Sequence, residues 1–410
     1  MTDEQPDRKE SGFKETTRVR TARERLRETV AGHDRTERVP LDAADGRVLA
    51  EAVVAERNVP HYPRAAMDGF AVRAEDTFGA SDRSPEILRS AGEAASVEPG
   101  AAVQVHTGSE LPEGADAVVM IEHADERGGD LEVFDAVGAG ENVAPVGEDV
   151  ESGQRLYDAG HRLRPSDLGL LKSVGVREVE AYEPPSVAVI PTGEELVAED
   201  PAPGEVVETN GLTVSRYVER WGGAATYRDV VTDDPDALRE AVERDSDHDV
   251  VVTTGGSSVG ERDLLPEVVS ELGEVVVHGV ALKPGHPVAL GVVEETPVVM
   301  LPGYPVASIV NAVQFLRPAT KWAGNLPVPD PPTTDARLDR KIRSEPGVRT
   351  FARVSLTDED GERVATPTRA SGSGILSSVA LADGWVVVPE ASEGIPADEV
   401  VAVQDWEALP

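Results

Sequence analysis

Apolar positions recur with different periods along the 410-residue chain, and the changes of period divide it. Val19, Ala22, Leu26 and Val30 stand at helical spacing, which predicts an amphipathic helix over 15–31. The polar residues 1–13 before it carry no period and are expected to be disordered. From 40 to 145 the pattern changes to short runs (VLAEAVV, GFAV, AVQVH, DAVVMIE, LEVF) separated by Gly, Pro and Asp clusters, which read as strands. PSDLGLLKSVGV, 165–176, predicts a helix with a Ser or Asp cap.

Between 185 and 322 the rhythm alternates. SVAVIPTGEEL is a strand then a loop, TVSRYVERWG a helix, DDPDALREAVERD a capped helix, DVVVTTGG a strand and LLPEVVSEL a helix. PVVMLPGYPVASIVNAVQFL adds a strand, a Pro-Gly turn and a helix. Such alternation predicts a parallel, doubly wound α/β sheet with ligands at the carboxyl ends of its strands. After the proline-rich LPVPDPP, 326–332, the runs FARVSL, GWVVVPE and DEVVAVQDW predict a small all-β domain. No fixed-period repeat is present.

Composition narrows the chemistry. There is no Cys, which removes thiolate nucleophiles, disulfides and cysteine-bound metals. Acidic residues outnumber basic ones 76 to 39, for a formal net charge of −37, and only six of the basic residues are Lys. No basic patch stands out, so nucleic acid is not the expected partner. Acids spread through every segment read as a surface adapted to high salt, which concerns solubility and not fold. No apolar run approaches the ~20 residues of a membrane helix, and the start does not read as a signal peptide, so a cytoplasmic location is expected.

The loop TTGGSSVGERD, 253–263, is the chemical centre of the sequence. A glycine turn leaving a buried strand presents backbone N–H groups to the crevice, and the helix that follows adds its positive dipole end. Gly255, Gly256, Ser257 and Ser258 in that turn suit a phosphate-like oxyanion, although the loop is neither a P-loop nor a dinucleotide fingerprint. Asp263 either caps the next helix or holds a hydrated Mg²⁺ bridging phosphate oxygens. Thr192, Gly193, Glu194 and Glu195 follow the first strand of the same sheet. KPGHP, 283–287, keeps a rare lysine, Lys283, as a point charge for an anion, and Pro302 and Gly303 of LPGYP form another strand exit. These exits are expected to converge on one sheet edge, where N–H groups, Lys283 and a cation neutralise an anionic guest inside an acidic protein.

Nine stretches, in this order, resemble the molybdopterin molybdenumtransferases, the MoeA and gephyrin E-domain family, over roughly 14–405. They are AAMDGFAV (65–72), HTGSELPEGADAVV (106–119), GENVAPVGEDV (140–150), PTGEEL, ETN (208–210), TTGGSSVGERD, KPGHP, LPGYPVAS and SGSGILSS (371–378). The resemblance implies a multi-domain α/β protein. Its parts are a discontinuous dimerisation domain (14–56 and 140–184), an inserted β-rich lobe (57–139), a molybdopterin-binding α/β domain (185–325) and a C-terminal β-barrel (326–410). It implies insertion of molybdate, or tungstate, into adenylyl-molybdopterin with release of AMP and help from Mg²⁺, in a homodimer with a shared cleft. The dithiolene sulfurs that hold the metal belong to the pterin, so the lack of Cys is no obstacle.

Carried over by position, Thr107 and Asp149 line the site. Glu195 and Asp263 hold metal or pyrophosphate with Asp233 or Asp234 nearby. Thr192, Gly193, Gly255, Gly256, Ser257, Ser258, Pro302 and Gly303 cradle the pterin nucleotide, Lys283 binds an anion, and Arg349 and Ser373 reach in from the last domain. His106 and His161 lack partners at metal spacing and are left out. Three positions depart from the family pattern: Pro63 stands where an aspartate is usual, His286 replaces a second lysine and Tyr304 replaces an amide. Pro63 and His286 leave open a non-catalytic binding and scaffolding paralogue, and adenylylation of molybdopterin by a related α/β domain is the other alternative. An adenylyltransferase is a further candidate partner.

Overall fold

The computed structural model describes residues 16–92, 94–255, 264–368 and 372–408. The chain falls into two units, one formed by the chain up to Glu37 and from Tyr182 onward, the other by Arg38–Ala181.

The first unit is built on a six-stranded sheet. Its strands in chain order are β1 (Ser186–Pro191), β2 (Ala224–Tyr227), β3 (Val250–Thr254), β4 (Gly273–His278), β5 (Ala289–Val293) and β6 (Thr296–Leu301), and their spatial order is β2-β1-β3-β6-β5-β4. The helices are α1 (Val19–Thr29), α2 (Asn210–Arg220), α3 (Pro235–Arg244), α4 (Leu264–Leu272), α5 (Pro305–Asn311) and α6 (Arg317–Ala323), the last two joined by a π-helical stretch, Ala312–Leu316. Alternate strand residues serve opposite faces, as the pleat requires. Val187, Val189, Val250, Val252 and Val299 pack with α1, α2 and α5. Ala188, Ile190, Val251, Val298 and Met300 pack with α3 and α4.

Two features differ from the sequence expectation. The sheet is mixed: β1, β2, β3 and β6 are parallel, whereas β5 is antiparallel to both β6 and β4. β5 and β6 are joined by two residues, with Glu294 at φ 55°, and a hairpin that short can only be antiparallel. Furthermore, the predicted first helix packs on this sheet, with Val19, Ala22 and Leu26 buried in the same cluster as Val280 and Leu290.

The C-terminal strands β7 (Thr333–Leu338), β8 (Arg349–Glu359), β9 (Glu362–Pro367), β10 (Gly384–Val388) and β11 (Val400–Gln404) close into a ring, since β8 pairs with both β9 and β10. Leu338, Val354, Val386 and Val403 fill it. Trp385 stacks on Trp406 at 4.3 Å and meets Phe351 edge-on at 5.3 Å, and all three join the apolar cluster of α1, α5 and the sheet. Barrel and α/β layers therefore share one core, although the sequence places a proline linker between them.

In the unit Arg38–Ala181, strands between Gly69 and Val133 form a six-stranded sheet around Phe70, Leu88, Val119 and Leu131. Gly69 is demanded by close approach, because a Cβ there would lie 2.0 Å from the Val119 carbonyl oxygen. A second core joins Leu41, Leu49, Leu163 and Leu171. The predicted helix is Pro165–Ser173, and its capping group is Asp167 at the third position, which reaches back to the Arg164 N–H at 3.0 Å. No helix among the described residues is long and apolar enough to cross a membrane.

Candidate functional site

Register puts the strand exits on one edge. His278 pairs with Ala289, Ala289 with Met300, Met300 with Thr253, and Thr253 with Ile190. One residue further on, the chain leaves β1, β3 and β6 and re-enters β5 from the KPGHP loop. Three of these exits touch. The Thr192 N–H donates to the Thr254 carbonyl at 3.0 Å, and the Gly255 N–H to the Leu301 carbonyl at 3.1 Å. Gly255 has φ 121°, and a Cβ on it would lie 2.0 Å from the Thr192 carbonyl oxygen. A Cβ on Gly303 would lie 3.4 Å from the Gly255 Cα. Glycine is the residue that allows this packing of backbone on backbone.

The neighbouring elements pin these loops. Asn210 of ETN donates from Nδ2 to the Gly303 carbonyl at 2.7 Å, and Glu208 accepts from the Gly211 N–H at 2.6 Å and from the Tyr227 hydroxyl. The first turn of α5 is tied to SGSGIL, since the Val306 N–H donates to the Ser373 carbonyl at 2.9 Å, and a Cβ on Gly374 would meet the Tyr304 ring at 3.3 Å. Thr192, Gly193, Gly255, Pro302, Gly303, Tyr304 and Ser373 thus form one contiguous rim. Sequence reading missed Asn210 and Glu208 as supports, because an Asn and a Glu ahead of a helix read as caps.

A carboxylate group stands at the β1 exit. Burial first, then the charges of Glu195 and Glu194, push the Asp233 pKa above the usual carboxylate value. Asp233 Oδ1 is buried with no hydrogen-bond partner among the described residues. Asp234, expected beside a cation, instead caps α3, its Oδ1 accepting from the Asp236 and Ala237 N–H groups at 3.1 and 3.0 Å. Among the described residues no three His, Asp or Glu side chains are grouped to hold a metal ion. Asp263 lies outside the described residues, as do Gly256, Ser257 and Ser258.

Lys283 lies in the loop that feeds β5, where Leu282–Lys283 pairs with Arg349–Thr350 of β8, and β5 itself stands three strands from β1. The Lys283 Nζ bonds Glu345 Oε1 at 2.9 Å and remains largely exposed. Burial, and then the Lys283 charge, lower the His286 pKa, so this loop carries one cation near neutral pH and not two. Gly285 sits so tightly on α5 that a Cβ would lie 2.1 Å from Asn311 Nδ2. Arg349 pairs with Glu390 at 3.1 Å and faces a separate cavity with Arg23 and Arg317. The buried arginine of the same strand that bonds toward the SGSGILSS segment is Arg353, donating to Ser378 Oγ at 3.3 Å. In the other unit, Thr107 binds Asp68 Oδ1 through its N–H at 2.7 Å and its hydroxyl at 2.9 Å, which lowers the Asp68 pKa. Asp149 is exposed there, its N–H bonded to the Val59 carbonyl at 2.9 Å. His161 bonds Asp167 at 2.8 Å.

Comparison with known proteins covers almost the whole chain. Residues 17–175 match the MoeA N-terminal region (domain I and II), 188–322 a probable molybdopterin binding domain, and 335–406 the MoeA C-terminal region (domain IV). A putative molybdopterin biosynthesis protein of Methanocaldococcus jannaschii is 36% identical over 391 residues, 93% of this chain and 94% of that one. The molybdopterin molybdenumtransferase of Bacillus subtilis is 32% identical over 387 residues, 90% of this chain and 89% of its own. The crystal structure of the molybdopterin biosynthesis moeA protein from Pyrococcus horikoshii OT3 superposes with a TM-score of 0.82 at 32% identity, covering 95% of this chain and 99% of that one.

Proposed function

The chain belongs to the MoeA family of molybdopterin molybdenumtransferases, and on that premise we propose that it inserts molybdenum into molybdopterin during molybdenum cofactor biosynthesis. The substrates are adenylyl-molybdopterin and molybdate, or tungstate, and AMP leaves as water hydrolyses the phosphoanhydride. The observation that carries this reading is the contact of three glycine turns, at Thr192–Gly193, Gly255 and Pro302–Gly303, on one sheet edge. The N–H groups of Thr192, Gly193 and Gly255 are spent on neighbouring carbonyls and fix the turns, while those of Gly303, Gly256, Ser257 and Ser258 hold the phosphate and orient the pterin. Ser373 closes the rim, and Lys283 holds anionic oxygens. Fixed donors of this kind stabilise charge that builds on the leaving phosphate without reorganising. Thr107 and Asp149 are carried over from the family resemblance as further residues of the pterin site, and the protein works as a cytoplasmic homodimer with a surface suited to high salt.

A divalent cation, Mg²⁺, fits the carboxylates. The unpartnered Asp233 oxygen and the mutual repulsion of Asp233, Glu194 and Glu195 are what a bound cation relieves. Glu195 and Asp233 would hold it together with Asp263, and when bound it supplies charge neutralisation at the phosphoanhydride. Adenylylation is disfavoured because the Bacillus subtilis relative, aligned over 90% of this chain, bears the molybdenumtransferase name. The test supplies adenylyl-molybdopterin, molybdate and Mg²⁺ at high salt and follows AMP and cofactor. AMP release that falls about a hundredfold or more in Asp263→Asn and Glu195→Gln is expected. Absence of AMP, or ATP consumption with molybdopterin alone, overturns the reading.

A further inference from the structure

Away from the strand exits, three arginines from distant parts of the chain meet. Arg23 comes from α1, Arg317 from the start of α6 and Arg349 from the start of β8, and all line one cavity of about 190 Å³ with Asp330 of the proline linker. Neither Glu195, Gly255, Gly303 nor Lys283 lines it. Gln314 and Gln404 add amide groups to the wall.

The cluster is electrostatically incomplete. Asp330 is the one carboxylate on the wall among the described residues, and Glu390 reaches only an Nη of Arg349. Arg317 is 3% exposed; its Nη2 donates to the Pro329 carbonyl at 2.8 Å, but its Nε is buried with no partner among the described residues, as is the Nε of Arg349. Burial, and then the charge of Arg23, push the Arg317 pKa down to about 10. Burial lowers that of Arg23 too, with Asp330 opposing and Arg349 adding to the fall. Three converging cations are all the more pointed in a chain where acids outnumber bases 76 to 39 and counter-charges are plentiful. Burying guanidinium groups without partners is costly, and a multiply charged anion that accepts from several N–H groups removes that cost. A cavity of about 190 Å³ has room for a small tetrahedral oxyanion.

We propose that this cavity binds a small tetrahedral oxyanion of the phosphate, sulfate or molybdate class, held by Arg23, Arg317 and Arg349, and that the anion clamps α1, the linker and the barrel to the α/β core. The inference stands on this cavity alone and is independent of the reaction assigned to the strand exits. Calorimetric titration of the full chain with inorganic phosphate, then molybdate, at constant ionic strength in potassium chloride tests it. The expected result is a phosphate site whose affinity falls about tenfold in Arg23→Gln, the loss of a charged hydrogen bond, and rises severalfold in Asp330→Asn, where the competing carboxylate is gone. A matching rise in melting temperature with phosphate is expected in the wild type and is smaller in Arg23→Gln. Displacement of phosphate by molybdate assigns both sources to the same pocket, and molybdate binding that ignores Arg23→Gln places that ion at the strand exits only. Equal phosphate affinity in the wild type and Asp330→Asn, or phosphate effects no greater than those of chloride, overturns the proposal, and Asp330→Asn carries the test even where Arg23→Gln folds poorly.

Discussion

Single residues decide whether the strand exits can meet. At Gly255 any side chain adds a Cβ 2.0 Å from the Thr192 carbonyl oxygen at a φ of 121°, so Gly255→Ala is expected to cost about 1–3 kcal/mol in urea unfolding and to abolish pterin binding. A stable Gly255→Ala protein with unchanged binding contradicts the tight-approach account. Asp167 is the opposite kind of residue, buried and charged. Burial opposes its ionisation, but hydrogen bonds from Arg164, His161 and Tyr157 win and hold its pKa well below the usual range. With a depressed folded pKa, its stabilisation is complete above the unfolded value of about 3.9 and drains away as pH falls below it. Asp167→Asn is expected to cost about 3 kcal/mol near pH 7, with the gap from wild type narrowing as pH falls below about 4. A gap independent of pH places the effect in packing. Gly255 was legible in the sequence, because a glycine pair after an apolar run has few other uses. The Asp167 network was not, since His161, Tyr157 and Arg164 look like ordinary surface residues until the chain brings them together.

Elements set which of several equivalent residues faces the site. Adjacent aspartates 233 and 234 look interchangeable in the sequence, yet the first turn of α3 claims Asp234 as its cap and leaves Asp233 beside Glu194 and Glu195. Asp234→Ser keeps a capping oxygen and removes the carboxylate; turnover and Mg²⁺ requirement like those of the wild type are expected, whereas Asp234→Ala costs about 1 kcal/mol in thermal unfolding. Loss of turnover in Asp234→Ser makes Asp234 a ligand and its capping bond incidental. At α2, Asn210 links the ETN turn to Gly303, so Asn210→Ala is expected to raise the KM for the pterin nucleotide with little change in melting temperature. A lower kcat at unchanged KM argues instead for a role at the reacting atoms. The helices α1 to α5 and the parallel strands β1, β3 and β6 were readable from the apolar pattern, whereas the short parallel strand β2, AATY, was not. β4 and β5 were not, because GEVVVH and ALGVV are short apolar runs with no helix between them, and the hairpin Glu294–Glu295 carries no Asn-Gly signal.

At the scale of the whole molecule, the net charge of −37 is the property that no single site explains. Like charges at this density repel in the compact state and separate on unfolding, so the folded chain is expected to lose stability as salt is withdrawn. Screening has a defined range: the Debye length falls from about 30 Å at 0.01 M to about 3 Å at 1 M. The melting temperature is therefore expected to climb steeply with potassium chloride up to about 1 M and to flatten beyond it, where neighbouring acids are already screened. Sucrose, which favours compact states by exclusion and leaves charges alone, should give only a shallow linear rise. An anion held in the arginine cavity would add its own stabilisation to the screening effect. Running the series in Arg23→Gln separates the two, because a screening effect survives that substitution and a site effect does not. A melting temperature flat below 0.3 M salt in both proteins would show that acids this numerous are spaced widely enough not to interact, and the acidity would then serve solubility alone.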